Sequence, residues 1–170
     1  MVADAQRLFG VDNVGTAKQA SANYWLMKTE PDEFSIDDLK ARKIEPWSGV
    51  RNYQARNFIR AMKAGDGVLF YHSSCEVPGV AGIASVVASA YPDPTQFDPK
   101  SDYFDAKSPR TDPRWSLVDV RFKRKLKRTI TLTELKEQRE LGDFALLRPG
   151  NRLSVLPVTK AQWDFILALE

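Results

Sequence analysis

Hydrophobic and polar positions change rhythm several times along the chain, and each change marks an element. Tyr24-Trp25-Leu26-Met27-Lys28 is a short apolar run closed by Thr-Glu-Pro, which predicts a buried strand. Ser35-Ile-Asp-Asp38 has the spacing of a capping box, with Asp38 in place of the usual glutamate, and opens a brief helix through Arg42. After the stretch Glu45-Pro-Trp-Ser-Gly49, Tyr53, Phe58, Ile59 and Met62 can share one helical face, with Arg51, Arg56 and Arg60 elsewhere. Gly65-Asp66-Gly67 supplies the backbone freedom to end that helix. Val68–Tyr71 and Gly79–Ala90 read as buried strands, joined by the loop His72–Pro78.

Residues 91–114 break the rhythm with a long run dense in Pro and Asp, an irregular connection of the length that is usually functional or disordered. Alternation returns from Leu117 onward: Val118, Val120 and Phe122 face one way, Asp119, Arg121 and Lys123 the other. Thr131-x-x-Glu134 reads as a second capping box that starts a helix, and Ser154–Val158 as a short strand or extended run. Thr159-x-x-Gln162 caps a final helix with the stripe Trp163, Ile166 and Leu167. Residues 1–22 lack sustained periodicity and are expected to form a flexible extension, which leaves residues 23–170 as one domain. Strands mixed with short helices predict an α+β fold on a small, strongly curved sheet or barrel. Gly79 and Gly82, inside a strand pattern, predict a close backbone approach across that curve.

Composition narrows the function more than the fold. With 43% hydrophobic and 28% charged residues in 170, the chain has the balance of a soluble globular domain. No stretch reaches the roughly 18 apolar residues of a membrane span. Asp4 stands where a signal peptide would need a basic segment, so a soluble intracellular protein is expected, cytoplasmic or nuclear and not secreted. One cysteine and one histidine, Cys75 and His72, allow no internal disulfide and too few soft ligands for a zinc centre. No phosphate-loop or dinucleotide motif is present, and no cofactor is expected. The net charge of +3 is compatible with a nucleic-acid partner without requiring one.

Candidate chemistry is sparse. His72 and Cys75 share a loop, but a thiol and its base need hydrogen-bond reach and a third orienting group, which spacing alone does not supply. A Cys/His-dependent enzyme therefore stands as an alternative, and His72 with Ser73 can equally offer hydrogen bonds to a ligand at a strand end. Arg121–Arg128 is the densest basic run, either a solvated strand edge or a nucleic-acid contact. Trp47 and Trp115 sit at loop–element junctions among small or polar neighbours. Each is either a core ring or a flat wall on which a base can stack.

Five blocks occur in order: Tyr24–Pro31, Trp47–Asn57, Gly65–Ser73, Asp112–Trp115 and Arg152–Val158. Together they resemble the EVE domain family over roughly residues 23–169. The resemblance implies a PUA-like fold, a small curved β-barrel flanked by short helices and related to YTH and ASCH domains. It also implies a binding module for nucleic acid, RNA or DNA, carrying a modified base. YTH relatives hold a methylated base in an aromatic cage, one wall of which is a Trp-Ser pair, and Trp47-Ser48-Gly49 stands in the corresponding place. By the same resemblance Lys28-Thr29 would read the base edge and Trp115 would be a second wall. Asn52, His72, Ser73 and Ser154 would complete the pocket, and Arg51, Arg56, Arg114, Arg121 and Lys123 would hold phosphates. No catalytic residues come with the family. A small-molecule pocket or a protein-interaction module remains as the alternative.

Overall fold

The structure is a computed structural model that describes residues 22–170. The extension expected over residues 1–22 lies, but for Ala22, outside the described residues. Eight strands and four α-helices follow in the order β1 (Tyr24–Thr29), α1 (Ile36–Arg42), β2 (Ile44–Pro46), α2 (Tyr53–Ala61), β3 (Gly67–His72) and β4 (Gly79–Val86). They continue with β5 (Tyr91–Pro92), β6 (Ser116–Leu117), β7 (Asp119–Thr131), α3 (Leu132–Lys136), β8 (Val155–Val158) and α4 (Lys160–Ala168). Six strands form one sheet in the order β2-β7-β4-β3-β1-β8, and β5 pairs with β6. Only β1 and β3 run parallel; every other pair is antiparallel.

The sheet curls into a half-barrel left open between β2 and β8. Its curvature comes from register shifts in β4 against both neighbours, since an extra residue bends a strand and sharpens its twist. Gly82 is where helix α1 comes closest: a Cβ there would lie 2.4 Å from Ile36 Cδ1. The close approach predicted at that glycine is thus real, and a side chain would push α1 off the sheet.

Both faces of the sheet are covered, so β1 and β3 read as continuous apolar runs instead of alternating. The period of two survives underneath. Trp25, Met27, Val68 and Phe70 point into one core with α1 and α2, while Leu26, Leu69 and Tyr71 point into a second with α3 and α4. The capping boxes at Ser35–Asp38 and Thr159–Gln162 are formed in full; at Thr131–Glu134 only the bond from Glu134 N–H to Thr131 Oγ1 is made, because the Glu134 carboxylate is taken by Arg128.

Three expectations need correction. The buried face of α2 is Ala55, Ile59 and Met62, with Phe58 half-buried; Tyr53 is 53% exposed. Helical spacing explains it, because Tyr53 falls outside the i, i+4, i+7 row that begins at Ala55. The helix also ends at Ala61, before Gly65, whose N–H instead bonds Val86 O and begins the turn into β3. Finally, β7 does not stop near Lys123 but continues through the basic run to Thr131. β2 pairs only with Asp119–Arg121, so the rest of β7 is a free edge beyond that pairing, lined with cations. Three of those cations are in ion pairs, Arg124 with Glu170, Lys125 with Asp37 and Arg128 with Glu134.

The long connection over residues 91–114 is ordered around a small polar core. Gln96 is fully buried; its Nε2 donates to Asp93 O and Trp115 O, and its Oε1 accepts from Ser108 Oγ and Trp115 N–H. Proline and aspartate set the turns, and one buried amide side chain holds them together.

Candidate functional site

The C-terminal ends of the parallel strands β1 and β3 lie side by side, with Lys28 opposite Tyr71 and Thr29 opposite His72. The chain leading into β8 joins them, Lys28 N–H donating to Ser154 O at 2.8 Å. Ser73 N–H continues the pairing to Thr29 O at 2.9 Å. Above this floor, the segment that follows β2 carries Trp47 and Ser48 across, anchored by Trp47 N–H to Val118 O. The space enclosed is a cavity of about 650 Å³, within the size range of small-ligand sites.

Seven of the ten residues expected around a pocket line this cavity: Lys28, Thr29, Trp47, Ser48, Gly49, Ser73 and Ser154. Its aromatic surface comes from Trp47, Phe34 and Tyr103. Trp47 is only 8% exposed; its ring meets Phe70 edge-on at 5.6 Å and Phe34 edge-on at 6.4 Å. It is therefore a core residue whose remaining surface faces the cavity. Thr29 Oγ1 donates to Phe34 O at 3.1 Å and fixes the turn that presents Phe34. Gly49, at φ +88°, is packed under the Tyr103 ring, 2.7 Å from where a Cβ would stand. Only glycine satisfies both the backbone angle and the contact.

A buried carboxylate locks this wall. Asp93, with no exposed surface, accepts from Gly49 N–H at 2.8 Å, from Arg51 Nη1 at 3.0 Å and from Thr95 N–H and Oγ1. Burial works against ionisation of Asp93, yet the bonds from Thr95, Gly49 and Arg51 outweigh it and hold its carboxyl below the ordinary carboxylate range. Lys28, half-buried among the strand ends, has its ammonium pulled below the usual lysine range by desolvation.

Three expected pocket residues are placed elsewhere. Trp115 is 6% exposed and is held within the connection: its indole Nε1 donates to Asp105 at 2.8 Å and its ring stacks on Tyr53 at 4.9 Å. The Arg51 guanidinium lies 5.5 Å from the same ring. Trp115 is therefore not a second wall. Asn52 spends its side-chain oxygen capping α2 through Ala55 N–H. His72, as the last residue of β3, turns to the opposite face from Ser73, and its Nε2 accepts from Ile36 N–H at 3.1 Å. That bond also removes Nε2 as a base for Cys75.

The cations divide similarly. All five N–H donors of Arg51 are occupied, by Val50 O, Asp93, Thr95 and twice by Tyr103 O, which leaves none for a phosphate. Arg56 donates to Arg114 O and lies over the Tyr53 ring, and Arg114 faces Asp105 at 3.8 Å. Arg121 and Lys123 are exposed on β7 and do not line the cavity. The cations that do line it, beside Lys28 and Arg51, are Arg42, bidentate to Glu45, and Arg152. Neither these nor Phe34 and Tyr103 were expected from the sequence. The exposed aromatic pair Tyr103-Phe104 in a Pro/Asp-rich connection was the one available signal.

Among the described residues, no cluster of three or more His, Cys, Asp or Glu could hold a metal ion, and no helix is long and apolar enough to cross a membrane.

Comparison with known proteins places this architecture. The chain is 47% identical to mouse thymocyte nuclear protein 1 over 167 residues, covering 88% of this chain and 74% of the relative. A crystal structure of a Pseudomonas syringae protein superposes with a TM-score of 0.84 at 54% identity, covering 86% of this chain and 98% of that one. The crystal structure of human THYN1 protein in complex with 5-methylcytosine-containing DNA superposes with a TM-score of 0.82 at 44% identity, covering 87% and 97%. The EVE domain profile matches residues 23–169, nearly all of the described half-barrel, and the chain belongs to that family.

Proposed function

We propose that this protein is a nucleic-acid-binding module that takes one modified base into the cavity at the ends of β1 and β3. The observation that carries the reading is the cavity itself: aromatic surface from Trp47, Phe34 and Tyr103 beside the polar groups of Lys28, Thr29, Ser73 and Ser154. A base entering it would gain stacking and dispersion from the rings, about 1–3 kcal/mol, and would have its edge read by the amine and hydroxyls. The human relative's complex supports a methylated cytosine as the first ligand to test. Extruding a base from a duplex costs a few kcal/mol, so a single strand or a weakened pair is the favoured substrate. An intracellular setting follows from that ligand and agrees with the naming of the vertebrate relatives.

The test is equilibrium binding of short single strands that differ only in one 5-methylcytosine. Wild type should prefer the methylated strand. Trp47→Phe, which keeps an aromatic core residue while shortening the cavity wall, and Tyr103→Ala, on an exposed residue, should each lower that preference by roughly tenfold. Equal affinity of both variants and wild type for methylated and plain strands would overturn the reading.

A further inference from the structure

A second cavity, of about 740 Å³, opens beside the first and shares Lys28, Ser73 and Ser74 with it. The two are separated by the turn after β3, where Ser74 adopts φ +50°. The far side of this second cavity is built by α3 and the segment over residues 146–151.

The two cavities differ in charge. The first is mixed: Glu30, Glu33 and Glu45 line it together with its cations. The second has Lys28, Lys136 and Arg148 on its walls and no carboxylate at all. Among the described residues, none of these three cations enters an ion pair, in contrast to Arg124, Lys125 and Arg128 of the β7 edge. The same walls carry the apolar Leu132, Leu146, Leu147 and Pro149. Unpaired cations beside apolar surface suit a nucleotide, with its phosphates on the cations and its sugar and base on the apolar side chains.

We propose that the strand carrying the modified base continues across the Ser73-Ser74 saddle into this second cavity. There Lys136 and Arg148 take the phosphates of the neighbouring nucleotide, and Lys28 sits between the two sites. This rests on the base-binding role of the first cavity. It moves the backbone contacts away from Arg51, Arg56 and Arg114, which are held by protein partners, and from Arg121 and Lys123, which line neither cavity. Continuity with the first cavity sets the path, and the absence of carboxylates selects a polyanion.

The experiment pairs Lys136→Ala/Arg148→Ala, both exposed positions, with wild type and Trp47→Phe. Each is titrated with methylated and plain single strands over a range of salt. The double variant should bind both strands about tenfold more weakly at low salt, with the salt slope reduced by about 1.4, the share of two phosphate contacts on a single strand. Its ratio of methylated to plain affinity should stay at the wild-type value, while Trp47→Phe should lose the ratio and keep the slope. Unchanged affinity and slope in the double variant, with the ratio intact in wild type, would overturn the second site and leave the reader standing. Absence of any ratio in wild type would overturn the reader and this inference with it. A free mononucleotide competing as well as the strand would overturn the continuous path in favour of a separate small-anion site.

Discussion

Trp47 and Trp115 enter the fold in similar surroundings, each where a loop meets a regular element, and both end nearly buried, at 8% and 6% exposure. Their uses differ because of what reaches them from elsewhere in the chain. Trp47 is gripped edge-on by Phe34 and Phe70, which leaves its remaining surface on the cavity. Trp115 has Tyr53 stacked on its ring, Arg51 beside it and Asp105 on its indole nitrogen. An aromatic side chain at a strand mouth is thus a ligand wall only where no other ring has stacked on it first. The two regions are tied by Asp93, which holds Gly49 from the Trp47 loop and Arg51 from the Trp115 stack.

The sharpest way to break the comparison is to delete the structural ring. Trp115→Ala should destabilise the protein by about 3–5 kcal/mol, the cost of emptying a site occupied by a buried tryptophan. Protein that remains folded should keep its preference for a methylated strand. Urea denaturation gives the first quantity and binding at low temperature the second. A folded Trp115→Ala that has lost the preference would make Trp115 part of the site after all.

Next comes the shared tie. Asp93→Ala would strand Gly49 N–H, Thr95 N–H and one of the five Arg51 donors in a partly buried pocket. Removing one partner of such a pair costs about 3 kcal/mol, the lower end of the range because Arg51 keeps 21% of its side chain exposed. Unlike Trp115→Ala, it should also release Tyr103 from above Gly49 and so weaken base binding. Loss of stability with binding intact would show that the two regions are independent.

These contrasts explain what could be read from the chain. The strands β1, β3, β4 and β8, two of the three capping boxes and the curvature glycine Gly82 depend on local pattern or on one backbone requirement, and they were legible. That Lys28, Thr29, Ser73 and Ser154 line one cavity at the strand ends was legible through the family resemblance, because strand ends keep their register. The roles of Trp115, Asn52 and Arg51 were not, since each is decided by a partner far away in sequence: Tyr53, the α2 cap geometry and Asp93. Phe34 and Tyr103 were missed for the same reason. Nothing local to Tyr103 says that it will lie over Gly49. The length of β7 was hidden because Lys123, Arg124, Lys125, Lys127 and Arg128 are all exposed, whichever face they stand on, so burial imposes no alternation there.

The smallest effect separates the two regions by pH. Burial pushes the His72 imidazole below its ordinary range; Asp37 opposes this and Lys125, ion-paired to Asp37, adds to it. The neutral ring is needed because Nε2 accepts from Ile36 N–H, and the same ring packs edge-on against Phe70, which supports Trp47. The folded state therefore binds this proton less readily than the unfolded chain. Its stabilising contribution is complete above about pH 6.5, the unfolded value, and is lost as pH falls from there through the lower folded-state value. The Trp115 side responds in another window. The Trp115 indole bond is the main cause holding Asp105 below the ordinary carboxylate range, and Asp93 is held low as well. Their contributions are complete above about pH 4 and fade only below it. Between pH 7 and 5, then, the urea midpoint of wild type should fall while that of His72→Gln, whose amide oxygen can accept from Ile36 N–H, should stay nearly level. Parallel curves for the two proteins would remove His72 as the source of the slope.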